Sequence, residues 1–250
     1  MKRLLFCISM AVIILGGLSS CSTWEQFVFE DDQWEIENQF RSQKWNYGNK
    51  NGLKPGDSDK KAGSPKVIVR DVPEVRYFID HYTNGRKVFV SESLERGSQY
   101  LPMIHTVFRN YGLPVELNNI AVVESGFDQS ARSNKGAVGV WQFIKSTARY
   151  YGLTVSLFRD ERKDVYKSTI AAARFLRDLY DYYGDWYLVL AAYNGGMGRV
   201  NKAIDKAQSR DFFVISRKGF LPSETREYVP RVLAMMIIRN DLKRYGFGQI

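Results

Sequence analysis

A glutamate at position 124 follows apolar residues at spacings that fit one face of a helix. Leu117, Ile120 and Ala121 precede Glu124 by seven, four and three residues, so the four side chains share that face. Desolvation penalises the charged form of a carboxyl group that points toward a core. The negative end of the helix dipole, just before Ser125-Gly126, disfavours the carboxylate further. Both effects predict a pKa raised toward neutrality, which is typical of a group that exchanges protons near pH 7.

Other chemistries find little support in the sequence. The alternative for Glu124 is a salt-bridged glutamate at a helix end, and periodicity alone leaves that alternative open. His81 and His105 are the two histidines, and their spacing fits neither a metal site nor a catalytic triad. The segment Gly136–Gly139 lacks the Lys-Ser/Thr ending and the preceding strand of a phosphate-binding loop. We therefore expect no metal site and no cofactor.

The elements that must position Glu124 are predicted to be helices, so the expected fold class is mainly α. From about Val67 onward the apolar residues recur with helical spacing, and Pro, Asp and Gly stand where helices begin or end. Only Lys66–Arg70 and Val88–Val90 hint at the alternation of a strand. The predicted helices are Pro73–Tyr82, Pro102–Tyr111, Val115–Glu124, Val140–Tyr151, Lys167–Tyr183, Trp186–Tyr193 and Glu224–Tyr245.

The N-terminus has the features of a secretory signal. A basic Met1–Arg3 precedes the apolar run Leu4–Leu15, which is too short for a stable membrane span. The following Leu18–Cys21 resembles a bacterial lipobox, which implies cleavage before Cys21 and lipid on its thiol. The alternative is an ordinary signal peptide with a chance cysteine. Because Cys7 would leave with the leader, the mature chain would have no internal disulfide.

Three regions follow from these patterns. Residues 1–20 are expected to be a lipoprotein signal peptide, 21–66 a lipidated cysteine with a tether, and 67–250 the main domain. The tether is rich in Gly, Pro, Asn, Asp and Lys, although its first part, 24–45, is aromatic. The net charge of +9 favours anionic partners without selecting one, and the secretory leader argues against nucleic acid.

Five sequence blocks occur in an order that resembles the family 1 lytic transglycosylases with a soluble-lytic-transglycosylase-type domain. They are Glu124-Ser-Gly-Phe-Asp, Ala131-Arg-Ser, Gly136-Ala-Val-Gly-Val-Trp-Gln-Phe-Ile, Ala191-Ala-Tyr-Asn-Gly-Gly and Glu224-Thr-Arg-Glu-Tyr-Val. The resemblance extends over about residues 67–248, including blocks that are similar to the membrane-bound D type of this family. It implies a lysozyme-like helical domain of the goose-type lysozyme/transglycosylase class. Members of that type often continue into LysM repeats, and this sequence stops at Ile250.

The resemblance also implies a reaction. Glu124 matches the single catalytic acid/base, which protonates the glycosidic oxygen between N-acetylmuramic acid and N-acetylglucosamine in peptidoglycan. Its carboxylate then accepts the proton of the muramoyl C6 hydroxyl, which closes a 1,6-anhydro ring without water. No second carboxylate is required to activate a water molecule. Asp128, the nearest other acid, is therefore interpreted as a residue that caps its loop.

The resemblance assigns a glycan-binding role to six further residues, each with a plainer alternative. Ser133 has the alternative of a loop hydroxyl bonded to backbone, and Gln142 that of a surface residue at a helix start. The remaining four have alternatives in the core or at a helix end. The six residues are Ser133, Gln142, Ile144, Tyr193, Asn194 and Tyr228.

The expected partners are peptidoglycan glycan strands and, through the lipid anchor, a membrane. The expected location is the bacterial cell envelope, at the periplasmic face of the outer membrane. Two alternatives stay open: a hydrolytic muramidase on the same fold and an inactive murein-binding lipoprotein. A basic cluster is interpreted as a solvated face that could attract the carboxylates of stem peptides. Its members are Arg132, Lys135, Lys145, Arg149, Arg159, Arg162 and Lys163.

Overall fold

The computed structural model describes residues 66–248, which are almost entirely helical. Single-turn helices of other types occur at His81–Gly85, Val115–Asn118 and Glu161–Lys163. The α-helices of this part of the chain are α1 Pro73–Asp80, α2 Lys87–Ser98, α3 Leu101–Asn110, α4 Asn119–Ser125, α5 Lys145–Tyr150, α6 Val165–Tyr183, α7 Trp186–Gly195, α8 Met197–Ala207, α9 Phe212–Arg217 and α10 Ser223–Asn240. The prediction of a mainly α domain is confirmed.

Helix α10 lies at the centre of the packing. It contacts α1, α4 and α7, so it connects the first helix of the domain with the helix that carries Glu124. Val229, Val232 and Leu233 on α10 are fully buried, and Pro230 is accommodated inside the helix. Helix α7 is buried on most of its circumference, which is typical of a helix that is apolar all round.

Several helix ends form as the sequence predicts. Asp185 caps α7, because its Oδ1 accepts hydrogen bonds from the backbone N–H groups of Tyr187 and Leu188. Helix α6 begins at Val165, before the predicted Lys167, and Asp164 caps it by accepting from the N–H of Lys167. Gly184 ends α6 with φ of 63°, a left-handed conformation that glycine adopts without steric cost.

The predicted helix Val140–Tyr151 is wrong in its first half. Only Lys145–Tyr150 is helical, while Val140–Ile144 belongs to a tight loop in which Gln142 has φ of 47°. The backbone of Val138 pairs with Arg132 on one side and with Phe143 on the other, so hydrogen bonds across the loop replace those of a helix. Helical spacing of apolar residues therefore misled the prediction, because the same side chains are buried here by a loop.

Two other boundaries and the strand hints also differ from expectation. The predicted helix Val115–Glu124 divides into a tight single turn and α4, and the predicted Glu224–Tyr245 ends at Asn240. Val88–Val90 lies inside α2, and Lys66–Arg70 lies in no regular element. In the described range no helix combines the length and apolar character needed to cross a bilayer. The signal peptide, Cys21 and most of the tether lie outside the described residues.

Candidate active site

Glu124 lies in the last turn of α4, on the face that the sequence predicts. Leu117, Ile120 and Ala121 are fully buried, whereas Glu124 itself is half-buried. The helix ends at Gly126 with φ of 58°, and Phe127 follows in the same left-handed region with φ of 61°. The helix turn that carries the carboxyl group is thus anchored in the core at a sharp change of chain direction.

Tyr228 of α10 is the direct partner of Glu124. Its hydroxyl donates a hydrogen bond of 2.7 Å to Glu124 Oε1, across 104 positions of sequence. Burial raises the pKa of Glu124 to about 7, although the hydrogen bond from Tyr228 acts in the opposite direction. The raised pKa predicted from the apolar face is confirmed, whereas the salt-bridged alternative is not what the structure shows.

Glu224, at the start of α10, also influences Glu124. Its negative charge adds to the rise in the pKa of Glu124. The Glu224 carboxylate is exposed and accepts from Lys135 Nζ at 2.7 Å. Because Lys135 lies in the loop after α4, this ion pair also joins that loop to the first turn of α10.

The loop 131–144 is held against the end of α4. Ser125 Oγ donates to the carbonyl of Val140 at 2.9 Å, so the residue after Glu124 is bonded to this loop. Gln142 Nε2 donates to the carbonyl of Gly139 at 2.8 Å and to that of Ala131 at 3.3 Å. Gln142 is therefore part of a tight turn, and its alternative as a surface residue at a helix start is wrong.

Ser133 lies on the same loop and is exposed. Its Oγ accepts the backbone N–H of Ala137 at 3.1 Å, and its own N–H donates to the carbonyl of Ala137. The bond to the backbone is the plainer interpretation of Ser133, and it leaves the hydroxyl proton directed elsewhere. Ile144, half-buried, precedes the first residue of α5.

Tyr193 and Asn194 lie near the end of α7. Tyr193 donates to the carbonyl of Trp141 at 2.8 Å, and its burial, with a further effect of the nearby Glu124 charge, raises its pKa. Asn194 Oδ1 accepts from Thr225 Oγ1 at 2.9 Å. A Cβ on Gly195 would meet that same Oγ1 at 2.6 Å, which explains the absence of a side chain at position 195. The structure thus ties α7 both to the loop and to α10.

Asp128 caps its own loop, as its simpler interpretation predicts. Its Oδ1 accepts from both the backbone N–H and the hydroxyl of Ser130, each at 2.7 Å. These bonds are the main reason that the pKa of Asp128 is lowered. Hydrogen bonds within its own loop therefore favour the carboxylate form of Asp128, and Glu124 is not one of its hydrogen-bond partners.

Arg162 has a structural role that the sequence did not indicate. The sequence predicts Arg162 to lie in a solvated basic cluster, yet it is buried, with 6% of its surface exposed. Its Nη1 donates to the carbonyls of Gly136 and Phe143, both at 3.0 Å, and its other nitrogens bind Asp160. A neighbouring acid in the Arg-Asp-Glu-Arg run is the only sequence signal of this pairing. In residues 66–248, no three His, Cys, Asp or Glu side chains are grouped to hold a metal ion.

Comparison with known proteins gives the site its context. Residues 103–215 match the family model described as the transglycosylase SLT domain. Membrane-bound lytic murein transglycosylase D of Escherichia coli is 40% identical over 165 residues, which are 64% of this chain and 36% of that protein. Membrane-bound lytic murein transglycosylase F of Shewanella denitrificans is 28% identical over 60% of this chain and 30% of its own length. The chain thus spans about a third of the length of these relatives.

A solved structure is similar over part of the chain. It is an inactive mutant of the lytic transglycosylase Slt from Pseudomonas aeruginosa, with 26% identity and a TM-score of 0.48. The match covers 58% of this chain and 24% of the other. The family model includes Glu124, loop 131–144 and the Tyr193-Asn194 pair, whereas Glu224 and Tyr228 of α10 lie beyond its last matched residue. Residues 103–215 of this chain therefore match the transglycosylase SLT domain, and the chain is similar to a membrane-bound lytic murein transglycosylase over part of that protein's length.

Proposed function

We propose that this chain is a lytic transglycosylase that cleaves peptidoglycan between N-acetylmuramic acid and N-acetylglucosamine. The new muramic end would be a 1,6-anhydro ring. The observation that carries the proposal is the half-buried Glu124, whose pKa is raised to about 7 within an SLT domain. A carboxyl group with that pKa is populated in both protonation states at neutral pH, as a single acid/base requires.

The first step uses the protonated form of Glu124. It donates its proton to the glycosidic oxygen, and the bond from that oxygen to C1 of the muramic acid breaks. Positive charge then develops at C1, and the substrate's own acetamido group can stabilise it. The carboxylate left behind is stabilised by the hydroxyl of Tyr228, whose hydrogen bond favours the charged form of Glu124.

The second step uses the carboxylate form. Glu124 accepts the proton of the muramoyl C6 hydroxyl while the oxygen of that hydroxyl bonds to C1, so the acid form of the enzyme is regenerated. No water is consumed and no second carboxylate is needed. The capping of Asp128 by Ser130 supports this assignment, because Asp128 already has a local structural task.

The remaining residues are proposed to bind the glycan. Ser133 and Gln142 lie on loop 131–144, which the Ser125–Val140 hydrogen bond holds beside Glu124. Tyr193 joins the same loop through Trp141. Their roles are therefore to orient the sugar that reacts. Ile144 is proposed to form part of the surface that contacts the glycan strand. Asn194 is proposed to order the end of α7 through its hydrogen bond with Thr225.

The cell envelope is the proposed location of the protein. The relatives named above are described as membrane-bound. For this chain the proposed attachment is lipid on Cys21, with residues 21–66 as a tether that lets the domain reach the wall, and the outer membrane as the site of attachment. One or more acyl chains would hold the protein on a bilayer without a spanning helix.

The test is product analysis by mass spectrometry after digestion of purified sacculi. We expect fragments that end in 1,6-anhydromuramic acid, each lighter by one water than the hydrolytic product. The Glu124→Gln variant should lose at least about a hundredfold in rate while keeping its circular dichroism spectrum. Reducing muramic ends would identify a muramidase, and no release by the folded wild type would identify a wall-binding protein.

A further inference from the structure

A concavity lies beside loop 131–144, with a volume of about 630 Å³. Its lining brings together residues that are dispersed over 32 positions of sequence, and six of them are cationic. The cationic residues of this basic pocket are Arg132, Lys145, Arg149, Arg159, Arg162 and Lys163. The basic cluster of the sequence is therefore a walled depression in the folded chain.

The positive charge of the basic pocket is only partly neutralised. Asp160 lines the pocket but is bound by Arg162 at 2.8 Å, and Glu161 pairs with Arg159 at 2.7 Å. Lys145 and Lys163 are exposed, and neither forms an ion pair with any residue from 66 to 248. An excess of cations at a concave surface focuses a positive potential, which attracts anionic groups.

The rim of the basic pocket is apolar. Leu157 and Phe158 line it, and their side chains are 98% and 99% exposed. Two adjacent large apolar side chains held in water are unusual for a face that is merely solvated. They offer a surface for the aliphatic part of a ligand whose charged groups reach the cations.

The basic pocket is lined in part by the neighbours in sequence of two candidate site residues. Arg132 is adjacent to Ser133, and Lys145 is adjacent to Ile144. Buried Arg162 connects the two sides, because its Nη1 donates to the carbonyls of Gly136 and Phe143 within loop 131–144. A group attached to a sugar that lies on this loop would therefore be within reach of the pocket.

We propose that the basic pocket binds the carboxylates of the peptide that is attached to the glycan strand. This inference rests on the proposed function, since it names a specificity site for that substrate. Carboxylates are the anions that such a peptide carries, and Lys and Arg side chains bind them by charge-assisted hydrogen bonds. The apolar rim packs on the aliphatic part of the peptide. A concave pocket fits a compact ligand of this kind better than the flat surface of a bilayer.

The binding test uses the inactive Glu124→Gln chain and two synthetic peptides. One peptide carries free carboxylates, and the other is the same peptide with those groups amidated. In this background Lys145→Gln/Lys163→Gln should weaken binding of the carboxylate peptide by about threefold or more and leave only the weak binding of the amidated one. The matched control is Lys206→Gln/Lys243→Gln, which removes two exposed charges outside the pocket. Equal binding by the pocket variant and the control would overturn the proposal.

The activity test compares glycan strands with and without their peptides. In a chain that keeps Glu124, the pocket variant should raise KM on peptide-bearing strands about threefold relative to KM on denuded strands, and the control variant should not. The same change on both substrates would overturn the proposal. Because peptide binding is measured without cleavage, a wild type that binds the peptide through these lysines but releases no anhydro ends would refute the proposed function alone.

A third measurement separates the peptide from a lipid surface. The two variants are sedimented with vesicles that contain anionic lipid. Binding to vesicles that depends on Lys145 and Lys163, together with peptide binding that does not, would overturn the proposal in favour of membrane contact. Peptide binding that depends on the two lysines supports it.

Discussion

At the residue scale, the site depends on a balance of opposing effects at Glu124. Burial raises the pKa of the carboxyl group, and the hydrogen bond from Tyr228 limits that rise, so the pKa is about 7. The apolar face shared with Leu117 and Ile120 is visible in the sequence, and so was the direction of the shift. Tyr228 could be assigned only by resemblance, since periodicity cannot bring together residues 104 positions apart.

The pH dependence follows from this value. The first step needs protonated Glu124, so kcat/KM should fall as the pH rises through about 7. An ordinary glutamate would instead lose its proton near 4.5. The measurement is kcat/KM for the release of soluble fragments between pH 5 and pH 9. An alkaline limb below pH 5.5 would contradict the raised pKa.

Replacing Tyr228 by phenylalanine tests how much its hydroxyl lowers the pKa of Glu124. Because the hydroxyl stabilises the carboxylate, the Tyr228→Phe variant should raise the pKa of Glu124 further and move the alkaline limb to higher pH. The maximal rate should fall about tenfold, because the transition state loses a hydrogen bond to a developing charge. The control is Tyr166→Phe, which removes a hydroxyl from a half-exposed side chain on α6. A lower rate with an unchanged alkaline limb would show that Tyr228 acts on something other than Glu124.

The raised pKa of Glu124 also predicts that its ionised form lowers the stability of the folded chain. Glu124 binds its proton more tightly in the folded chain than in the unfolded chain, since its pKa rises from 4.5 to about 7. Its stabilising contribution is complete below pH 4.5 and is lost as the pH rises through about 7. Glu124→Gln should therefore raise the free energy of unfolding by about 1–3 kcal/mol at pH 8, and raise Tm with it. At pH 4 the substitution should change Tm little. Equal melting shifts at both pH values would contradict the buried carboxylate.

At the scale of elements, the decisive feature is the loop between α4 and α5. Apolar periodicity predicted a helix from Val140, but Val140 is a loop residue whose carbonyl binds Ser125. The misleading signal was the burial of Val140, Trp141 and Phe143, which a loop achieves here as well as a helix would. The buried Arg162 that supports this loop was hidden among exposed cations, because a charged residue type does not reveal its burial.

Two glycines of this loop form a matched pair. Gly139 and Gly136 have similar positive φ, 84° and 77°. A Cβ on Gly139 would lie 2.0 Å from the carbonyl oxygen of Arg162, whereas a Cβ on Gly136 would meet nothing within 4 Å. We expect Gly136→Ala to cost about 1 kcal/mol from backbone strain alone. Gly139→Ala should lower the free energy of unfolding by at least about 2 kcal/mol more than Gly136→Ala, because the loop and Arg162 must move apart.

Chemical denaturation of both glycine variants measures the difference. Activity should fall with Gly139→Ala even where the protein is folded, since Gln142 and the loop would shift relative to Glu124. Equal stability of the two variants would mean that the contact between Gly139 and Arg162 is not a constraint on the loop.

At the scale of the whole molecule, composition and the spacing of apolar residues predict the mainly α class. They do not predict how the helices pack against one another. Capping residues such as Asp185 and Gly184 mark helix ends locally, so those ends could be predicted. The central place of α10, which contacts α1, α4 and α7, depends on long-range packing that no local pattern encodes. That arrangement is nevertheless what brings Tyr228 to Glu124. The catalytic proposal is therefore a property of the folded domain and not of any one motif.

The central claim is that one carboxyl group completes the reaction without water. Digestion of purified sacculi in water enriched in the heavy isotope of oxygen tests it most directly, with mass spectrometry of the new muramic ends. The account predicts anhydro ends that carry no heavy oxygen, because the C6 hydroxyl of the sugar supplies the attacking atom. Muramic ends that carry one heavy oxygen would show that water attacks C1, and they would contradict the account.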